Sequence, residues 1–365
     1  MILLHEYYSG YMHKYAMKYI KILKANKIGY KIVSCNQDGF WDIIQSADLL
    51  LFYIGTDDIH LQRLKSVLTV INQFTGVKCF PNFNTSWHLD DKVSQYYLLK
   101  VNGFPAVPSN IFWDKDLALD YTEKAEYSII FKLKRGAGSS NVCKVEDKKH
   151  ARRLVESMFA TGIKSGHVPG VRMSTIFNSD WKRIAKSTFG RILAESGLRT
   201  KPHHALQRER GYAYFQDFLI GNEHDVRVTI IGDRAFAFRR FNRKNDFRSS
   251  GSGIIDHDPA KIDLSVVSLA FNVSKTLSFQ TMAYDFLQDS EGNWRILEIC
   301  HLFADWAVFQ CPGYWDRDLE WHEGHYWPQY SELVNLLGRD DLIQPDFDIY
   351  KGRNLLVEYR CMHEV

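Results

Sequence analysis

The hydrophobic and polar positions of the chain repeat with strand-like and helix-like periods. Within residues 1–80, strand patterns over 30–34 and 48–53 alternate with amphipathic helical patterns over 12–26 and 61–74. Strands that alternate with helices are typical of a parallel sheet, so this part of the chain predicts a small α/β lobe.

A second unit with a glycine-rich loop follows from about residue 90. Its predicted elements are a helix over 91–101, strands over 128–133 and 141–145, and a helix over 150–159. Residues from about 160 to 210 are basic and short of strand patterning. We interpret them as a helical insertion that covers a cleft.

Strand patterning returns from residue 212, and an aromatic-rich tail begins at Cys311. The predicted strands cover 214–219, 226–231, 235–239, 282–287 and 294–299, with a helix over 264–277. This mixed order predicts an α+β body. The expected domain boundaries are 1–90, 91–210 and 211–365.

Composition and charge narrow the class of protein. The chain is 45% hydrophobic and 24% charged, as in ordinary globular proteins, and its net charge of +3 argues against a dedicated nucleic-acid binder. The six cysteines form no C-x-x-C pair, so reduced thiols in the cytoplasm are expected, and neither disulfides nor a zinc site. No signal-peptide pattern is visible, and the apolar run 47–54 is too short to span a bilayer.

Lys132 and the loop that follows it form the first candidate site. Glycines allow backbone N–H groups to approach phosphate oxygens, and serine hydroxyls add donors. A lysine on the preceding strand supplies a charge for the same phosphates. The loop Gly136-Ala137-Gly138-Ser139-Ser140 matches neither the P-loop nor the dinucleotide fingerprint, so a plain hairpin turn is the alternative.

The predicted strand over 214–219 is followed by two acids, Glu223 and Asp225. Exposed backbone at a strand end can hydrogen-bond an adenine edge, and an acid just beyond it can accept from ribose hydroxyls. An edge strand with solvated charges is the alternative. Arg227 alternates with two valines and therefore points away from the core face.

Asp285 and Glu298 form the candidate metal site. They lie on two strand patterns, and a two-residue loop at Glu291-Gly292 would place them directly opposite each other. Two such carboxylates, ~5 Å apart at Cβ, repel each other in apolar surroundings. Mg²⁺ takes carboxylate and phosphate oxygens as ligands and would remove the repulsion. Protonation of one acid, or a bridge to Arg295, is the alternative.

A cationic loop between strands is the last candidate. Arg239 and Arg240 precede a Gly/Ser loop over 242–253 that carries further cations, among them Arg248. Arginine binds carboxylate or phosphate through two parallel hydrogen bonds. We therefore expect anion binding here, although for a single arginine a surface charge is the alternative.

Taken in this order, the features resemble the ATP-grasp superfamily, especially its ribosomal-protein glutamate ligase and D-alanine–D-alanine ligase branches. The resemblance runs from about Asp91 to Asp305. It covers Asp91-Lys92, Lys132 with its loop, residues 216–227, Asn245-Asp246-Phe247-Arg248, and the Asp285/Glu298 hairpin. It implies an ATP-grasp fold, in which an N-terminal α/β lobe precedes two α+β lobes that clasp ATP.

The same resemblance implies ATP and Mg²⁺ as cofactors, with two ions expected, Glu298 bridging them, and Mn²⁺ as an alternative metal. It also implies roles for single residues. By role they are, for the ATP phosphates, Lys92, Lys132, Gly136, Gly138, Ser139 and Ser140; for adenine and ribose, Gln216, Asp217, Phe218, Leu219, Glu223 and Asp225; for magnesium, Asp285 and Glu298; and for the phosphoryl group and the carboxylate substrate, Arg227, Arg239 and Arg248.

One position departs from the family pattern. The family usually closes its metal site with Glu-x-Asn, whereas this chain reads Glu298-Ile299-Cys300. A neutral thiol is a poor magnesium ligand because hard cations prefer oxygen. Water or another residue would replace that ligand, and a catalytically inactive relative is an alternative.

The resemblance predicts an ADP-forming carboxylate–amine ligase. ATP would convert a carboxylate into an acyl phosphate, an amine would attack it, and a closed loop would exclude water. An ATP-grasp kinase with an anionic acceptor is the second hypothesis. The aromatic tail vaguely resembles members of surface-polysaccharide pathways, so a sugar acid amidated with an amino acid is one substrate hypothesis. We also expect a homodimer, no nucleic-acid partner and no membrane span.

Overall fold

The structure is a computed structural model that describes residues 1–136, 141–165, 168, 208–244, 246–347 and 356–358. The chain divides into two compact units. Unit 1 comprises residues 1–89, 94–106 and 219–365, and unit 2 comprises residues 90–93 and 107–218. Unit 1 thus contains nearly all of the first and the third predicted lobes, and the three predicted boundaries stay a prediction.

The strands, in chain order, are β1 (Ile2–His5), β2 (Tyr11–His13), β3 (Tyr30–Val33), β4 (Leu49–Leu51), β5 (Lys78–Phe80), β6 (Ser109–Phe112), β7 (Ile129–Lys132), β8 (Val142–Val145), β9 (Ile163–Lys164), β10 (Arg208–Glu209), β11 (Ala213–Asp217), β12 (His224–Ile231), β13 (Arg234–Phe241), β14 (Ile255–Asp256), β15 (Thr281–Gln288), β16 (Trp294–Cys300), β17 (Gly313–Trp315), β18 (Trp321–Glu323) and β19 (Leu356–Glu358).

The helices are α1 (Lys14–Ala25), α2 (Phe40–Gln45), α3 (Asp58–Arg63), α4 (Thr69–Phe74), α5 (Phe83–Ser86), α6 (Lys92–Val101), α7 (Lys115–Lys124), α8 (Lys148–Phe159), α9 (Leu264–Thr276), α10 (Asp305–Phe309) and α11 (Pro328–Leu337). A π-helical turn (Leu64–Leu68) joins α3 to α4, and a 3-10 turn covers Pro259–Lys261. None of the helices in the described ranges combines the length and the apolar composition that crossing a bilayer requires.

Unit 1 begins with the predicted parallel sheet, whose strand order is β3-β1-β4-β5. The strands and helices predicted for this part are confirmed, but two strands of the sheet, the inner strand β1 and the edge strand β5, were not predicted. A strand covered on both faces reads as a short unbroken apolar run, and Ile2-Leu3-Leu4 is too brief to show a period.

Helix α1 packs against helix α11 near the end of the described chain, and this contact explains why the first and last parts form one unit. Ile22 and Leu23 of α1 share a buried cluster with Leu333 and Val334 of α11. Burial of such side chains contributes roughly 1.5–3 kcal/mol each relative to exposure.

The second sheet of unit 1 has seven strands, in the order β16-β15-β12-β13-β17-β18, with β14 paired to β13. The predicted strands of this part, and the helix α9, are confirmed. Asp263 caps α9 by accepting from the N–H of Ser265 over 2.9 Å. Helix α9 covers one face of this sheet, where its Val266 and Val273 pack with Val226 and Tyr284 of the strands. The helix does not cover the opposite face of the sheet.

Unit 2 is built on an antiparallel sheet of order β6-β11-β7-β8. Phe131 and Phe215 of the sheet pack with Leu154 and Val155 of α8 in one buried cluster. The N-cap of α8 is Asp147, which accepts from the N–H of His150 over 2.7 Å. The strands predicted here are confirmed, whereas β6 and α7 were not predicted.

Candidate functional site

One face of the seven-stranded sheet collects charged side chains from neighbouring strands. The β12–β13 hairpin turns at Gly232-Asp233, which aligns Asp225 with Arg240. On the next strand, Asp285 pairs with Arg227. Paired residues of antiparallel strands project to the same face, as do residues two apart. These four side chains therefore lie together on the face away from helix α9.

The prediction that Asp285 lies opposite Glu298 is confirmed. The predicted two-residue loop between their strands is wrong, because Gln288 pairs with Trp294. Five residues, 289–293, lie between this last pair, and the pairing at the tip is offset by one residue from the predicted register. A β-bulge directly after Asp285, where Leu297 is left unpaired, removes the offset and aligns the two acids.

Asp285 is held by two arginines. Nε and Nη2 of Arg227 donate to its Oδ1 and Oδ2 over 2.7 and 2.8 Å, and Nη2 of Arg240 lies 2.7 Å from Oδ2. Burial alone would raise the pKa of this carboxyl, but the two guanidiniums outweigh burial and hold its pKa below the ordinary value. The predicted alternative of a bridge to Arg295 is wrong, since Nε of Arg295 donates to Asp289 over 2.9 Å.

Asp225 belongs to the same network, which contradicts its predicted role at a ribose. Arg240 donates to both of its oxygens, over 2.7 Å from Nε and 2.5 Å from Nη2. The side chain is only 3% exposed, so its lone pairs point into protein. Glu223 is exposed in the turn before β12 and stays the predicted ribose ligand.

Arg239 lies on the other face of the sheet, which contradicts its predicted place beside the phosphoryl group. It pairs in register with Val226, and its Nη2 donates to Asp256. Neighbouring residues of a strand point to opposite faces, so only one of two consecutive arginines can reach the site. That residue is Arg240.

Arg248 is bound to its neighbour Asp246 within the cationic loop. Its Nε lies 2.9 Å from both carboxylate oxygens, and its Nη2 lies 2.6 Å from Oδ2. This local ion pair offsets the charge of Arg248. A role toward the phosphoryl group stays a prediction.

A pocket of about 370 Å³ lies beside Arg227 and Arg240. One side is the loop 249–253, in which Gly251 and Gly253 have φ values of +75° and +76°. The other side is apolar and consists of Phe238, Ile255, Phe303, Ala304, Trp306, Ala307 and Val308. Guanidiniums at one end and an apolar wall suit an anion with an apolar body.

In unit 2, Asp90 and Lys92 fix the base of the glycine-rich loop. The N–H of Gly136 donates to Oδ1 of Asp90 over 2.7 Å, and Nζ of Lys92 donates to the carbonyl of Gly136 over 2.5 Å. Gly136 has a φ of +106°, and a Cβ on it would lie 2.2 Å from Nδ2 of Asn141. Only glycine fits this position, as a phosphate loop would require.

Lys132 shares a face of the unit 2 sheet with Gln216 and Lys144. Both of these residues pair with Ile130, which lies two residues before Lys132 on β7. Nζ of Lys144 also lies 4.7 Å from the ring centre of Phe218. Lys144 is a second cation on this face that the sequence patterns did not single out.

The segment predicted to hold adenine is anchored at its start. Nε2 of Gln216 donates to Oγ of Ser109 over 3.1 Å, and the N–H of Asp217 donates to the carbonyl of Pro108 over 3.0 Å. Leu219 lies half-buried beyond them. The adenine role of this segment stays a prediction.

Several predicted features lie outside the described residues. They are Gly138, Ser139 and Ser140 of the phosphate loop, Asn245 of the cationic loop, and most of the predicted insertion over 160–210. Their roles stay predictions.

Asp285 and Glu298 offer the oxygen donors that magnesium prefers. A carboxylate has about four lone-pair positions, and Arg227 and Arg240 make three contacts to Asp285. Within the described ranges, no group of three or more His, Cys, Asp or Glu side chains is arranged to hold a metal. The pair therefore fits an ion that takes most of its ligands from water and phosphate, as Mg²⁺ commonly does.

Cys300 lies on the same face two residues beyond Glu298, paired with Ala283. Its sulfur remains a soft atom among hard donors, so it does not add an oxygen ligand to the carboxylate pair.

A separate small cavity of about 20 Å³ in unit 1 is lined by Glu332 and His301, among others. The hydroxyls of Tyr15 and Tyr19 donate to Glu332, and burial raises the pKa of this acid to about 7. Burial lowers the pKa of His301 to about 3, so its imidazole is neutral. The volume is that of about one water molecule, which excludes a substrate.

Arg240 is the site residue that the sequence interpretation missed. The signal was present in the hairpin itself, because Gly232-Asp233 is a two-residue loop between alternating strands. Counting outward from that loop aligns Asp225 with Arg240 and leaves Arg239 on the other face.

Comparison with known proteins gives a distant relative with an assigned activity. The chain is 20% identical over 286 residues to the α-aminoadipate–LysW ligase LysX of Saccharolobus solfataricus, which covers 76% of this chain and 86% of that protein. No family model matches the chain.

Solved structures share the fold. A RimK-domain ATP-grasp protein of Sphaerobacter thermophilus matches with a TM-score of 0.51 at 12% identity, over 92% of this chain and 99% of its own. The ADP complex of N5-carboxyaminoimidazole synthetase from Staphylococcus aureus matches with a TM-score of 0.55 at 12% identity, over 93% and 77%. Biotin carboxylase from Campylobacter jejuni matches with a TM-score of 0.54 at 12% identity, over 92% and 70%. These matches show that the chain has the ATP-grasp fold.

Proposed function

We propose that the protein is an ATP-dependent ligase that joins a carboxylic acid to an amine through an acyl phosphate. The observation that carries this proposal is the shared sheet face, on which two pocket-lining guanidiniums, Arg227 and Arg240, adjoin the carboxylates Asp285 and Glu298. In this proposal the arginines that would bind the substrate carboxylate thus lie next to the acids that would bind the metal. The similarity to a ligase supports the reaction class.

In this proposal Lys92, Lys132 and Gly136 bind the ATP phosphates, and Glu223 binds the ribose. Arg227 and Arg240 orient the substrate carboxylate. Magnesium, held by Asp285 and Glu298, supplies neutralising charge on the phosphates. Two ions, or Mn²⁺ in their place, stay predictions.

The chemistry needs two displacements. A carboxylate oxygen attacks the γ-phosphorus of ATP, and the bond from that phosphorus to ADP breaks, which gives an acyl phosphate. The amine nitrogen then attacks the acyl carbon, the carbon–oxygen bond to phosphate breaks, and the nitrogen loses a proton. The guanidiniums stabilise the negative charge that develops on oxygen in both steps.

Isotope transfer tests the acyl phosphate. The wild-type protein is incubated with ATP, Mg²⁺, an amine mixture and acids labelled with ¹⁸O in both carboxylate oxygens. We expect one ¹⁸O atom to appear in the inorganic phosphate, together with ADP and an amide of matching mass. Glu298→Gln and Lys132→Met serve as controls and should release little ADP.

The kinase hypothesis predicts a different product. A kinase would leave the γ-phosphoryl group on the acceptor and would release no labelled phosphate. An inactive binding module would bind ATP without releasing ADP for any acid and amine pair. Either outcome would contradict the ligase proposal.

The predicted sugar-acid substrate, homodimer and cytoplasmic location go beyond what the similar proteins support. The comparisons lend no support to a saccharide pathway, so a sugar acid is one candidate among those to be screened. The homodimer and the cytoplasmic location stay predictions that sedimentation and cell fractionation can test.

A further inference from the structure

We propose that the pocket beside Arg227 and Arg240 selects an aromatic monocarboxylic acid as the acid substrate. The inference rests on the proposed ligase function and adds the substrate class. It follows from three properties of the pocket: how its guanidiniums are held, what its wall lacks, and how rigidly the wall is supported.

The two guanidiniums are oriented from behind and open toward the pocket. Asp225 and Asp285, which are 3% and 5% exposed, bind the Nε and Nη2 atoms of Arg240 and Arg227 and do not line the pocket. Among the described residues, no hydrogen bond occupies Nη1 of Arg227 or of Arg240. The two Nη1 groups thus remain as donors that can converge on one incoming carboxylate.

The rest of the lining offers no partner for a second charge. Apart from the two arginines and three serines, the described lining is entirely apolar or glycine, with no acid, lysine or histidine. A substrate ammonium would lose its hydration without a carboxylate to replace it, which is costly in an apolar setting. The many hydroxyls of a sugar acid would find only the three serines and the backbone of their loop as polar partners besides the arginines. The lining therefore disfavours amino acids, dicarboxylates and sugar acids.

The wall is backed by a core of its own. Phe238 and Val308 belong to a buried cluster with Phe236 and Cys311, and Phe303 and Trp306 pack against that cluster. Nε2 of His257 also contacts the carbonyl of Ala307 at 3.0 Å, which ties helix α10 to the strand side. A rigid aromatic wall suits a flat ring because stacked or edge-on ring pairs add about 0.5–1.5 kcal/mol to simple burial.

The loop side of the pocket is also held in place. Oγ of Ser249 donates to Asn242 over 2.6 Å, and Nη2 of Arg243 donates to the carbonyl of Ser250 over 2.5 Å. A Cβ on Gly251 would lie 2.8 Å from that same guanidinium nitrogen. The pocket volume of about 370 Å³ is at the lower end of small-molecule sites, which suits one ring system with a short acid arm.

Binding of acids to the full-length protein, measured by titration calorimetry without ATP, tests the inference. The probes are 2-naphthoate, cinnamate and benzoate, compared with acetate, L-glutamate and D-glucuronate. We expect at least tenfold tighter binding of the aromatic acids than of the other three. Equal or tighter binding of glutamate or glucuronate would overturn the substrate class.

Two variants assign the selectivity to the wall. Trp306→Ala should weaken the aromatic acids about tenfold and leave acetate unchanged, whereas the exposed Trp113→Ala of unit 2 should change neither. Ala304→Asp places a carboxylate in the lining at the N-cap of α10, where Asp is a favoured cap, so folding should be retained. It should weaken all acids, and unchanged aromatic binding in both pocket variants would overturn the inference.

A parallel screen for ADP release separates this inference from the ligase proposal. Release with glutamate or glucuronate but with no aromatic acid would keep the ligase function and overturn the substrate class. Tight aromatic binding without ADP release for any amine would keep the pocket assignment and overturn the ligase function.

Discussion

Arg227 binds Asp285 through two parallel hydrogen bonds across adjacent strands, so the predicted metal ligand also anchors an arginine of the pocket. A bidentate pair of this kind fixes the plane of the guanidinium as well as its position. We therefore expect loss of Asp285 to affect the pocket, the fold and the proposed metal site together, and loss of Glu298 to weaken the proposed metal site.

The first prediction separates these effects. Asp285→Asn should lower the free energy of unfolding by about 3–5 kcal/mol, because it leaves Arg227 without a buried countercharge and Arg240 with only one, Asp225. Glu298→Gln, on a partly exposed side chain, should change it by less than about 1 kcal/mol. Urea denaturation measures both values, and equal losses would contradict the assignment of Asp285 as the anchor.

The second prediction concerns the two faces of β13 and its partner strand. Arg227→Lys should lower kcat by about 10²–10³-fold, because a lysine cannot keep the two-pronged pair with Asp285 and at the same time present a fixed donor to the developing charge. Arg239→Lys is the matched control on the opposite face and should leave kcat within about threefold. Steady-state ADP release measures both, and a large effect of Arg239→Lys would show that the face assignment fails.

The third prediction concerns the phosphate loop of unit 2. Gly136→Ala should weaken ATP about tenfold or more, because the new Cβ would collide with Asn141 and the residue would keep a positive φ. Gly103 also has a positive φ, but a Cβ at that position would meet no atom within 4 Å. Gly103→Ala is therefore a control for backbone strain without a collision. ATP titration calorimetry on both variants is the measurement, and equal affinities would argue against the loop.

The fourth prediction is a pH dependence of stability that arises from Glu332. Its folded pKa of about 7 lies above the ordinary 4.5, so the folded protein binds the additional proton between these values. Stability should therefore fall as pH rises from about 4.5 to about 7. At about 1.4 kcal/mol per unit, the wild type should lose about 3 kcal/mol relative to Glu332→Gln across this range.

Denaturation curves of the wild type, Glu332→Gln and the exposed Glu320→Gln at several pH values measure this difference. The Glu320 variant should follow the wild type throughout. A constant gap between wild type and Glu332→Gln would mean that this acid does not titrate in the range.

Hydrophobic periods predicted the long elements well, because burial of one face imposes a period of two or 3.6 residues. The same periods could not find β1, whose three leading apolar residues are too few. Register was partly accessible, since a hairpin loop fixes it locally. Arg239 was predicted at the site in place of its neighbour Arg240, because consecutive residues of a strand point to opposite faces and an error of one residue exchanges them.

The contact between Asp285 and Arg240 was beyond sequence reasoning for a different reason. Asp285 and Arg240 lie on strands that are not neighbours, since β12 separates β15 from β13. No local pattern records a contact between side chains that reach across an intervening strand. Only the order of strands in the sheet brings Asp225, Arg240 and Asp285 together.

The β-bulge after Asp285 divides its hairpin into two segments of different register. Below the bulge, the pairing of Tyr284 with Ile299 and of Asp285 with Glu298 is set by the rest of the sheet; above it, the tip has a register of its own. Changes in the length of the tip can therefore be absorbed at the bulge. Evolution is free to vary that turn while the two acids keep their alignment.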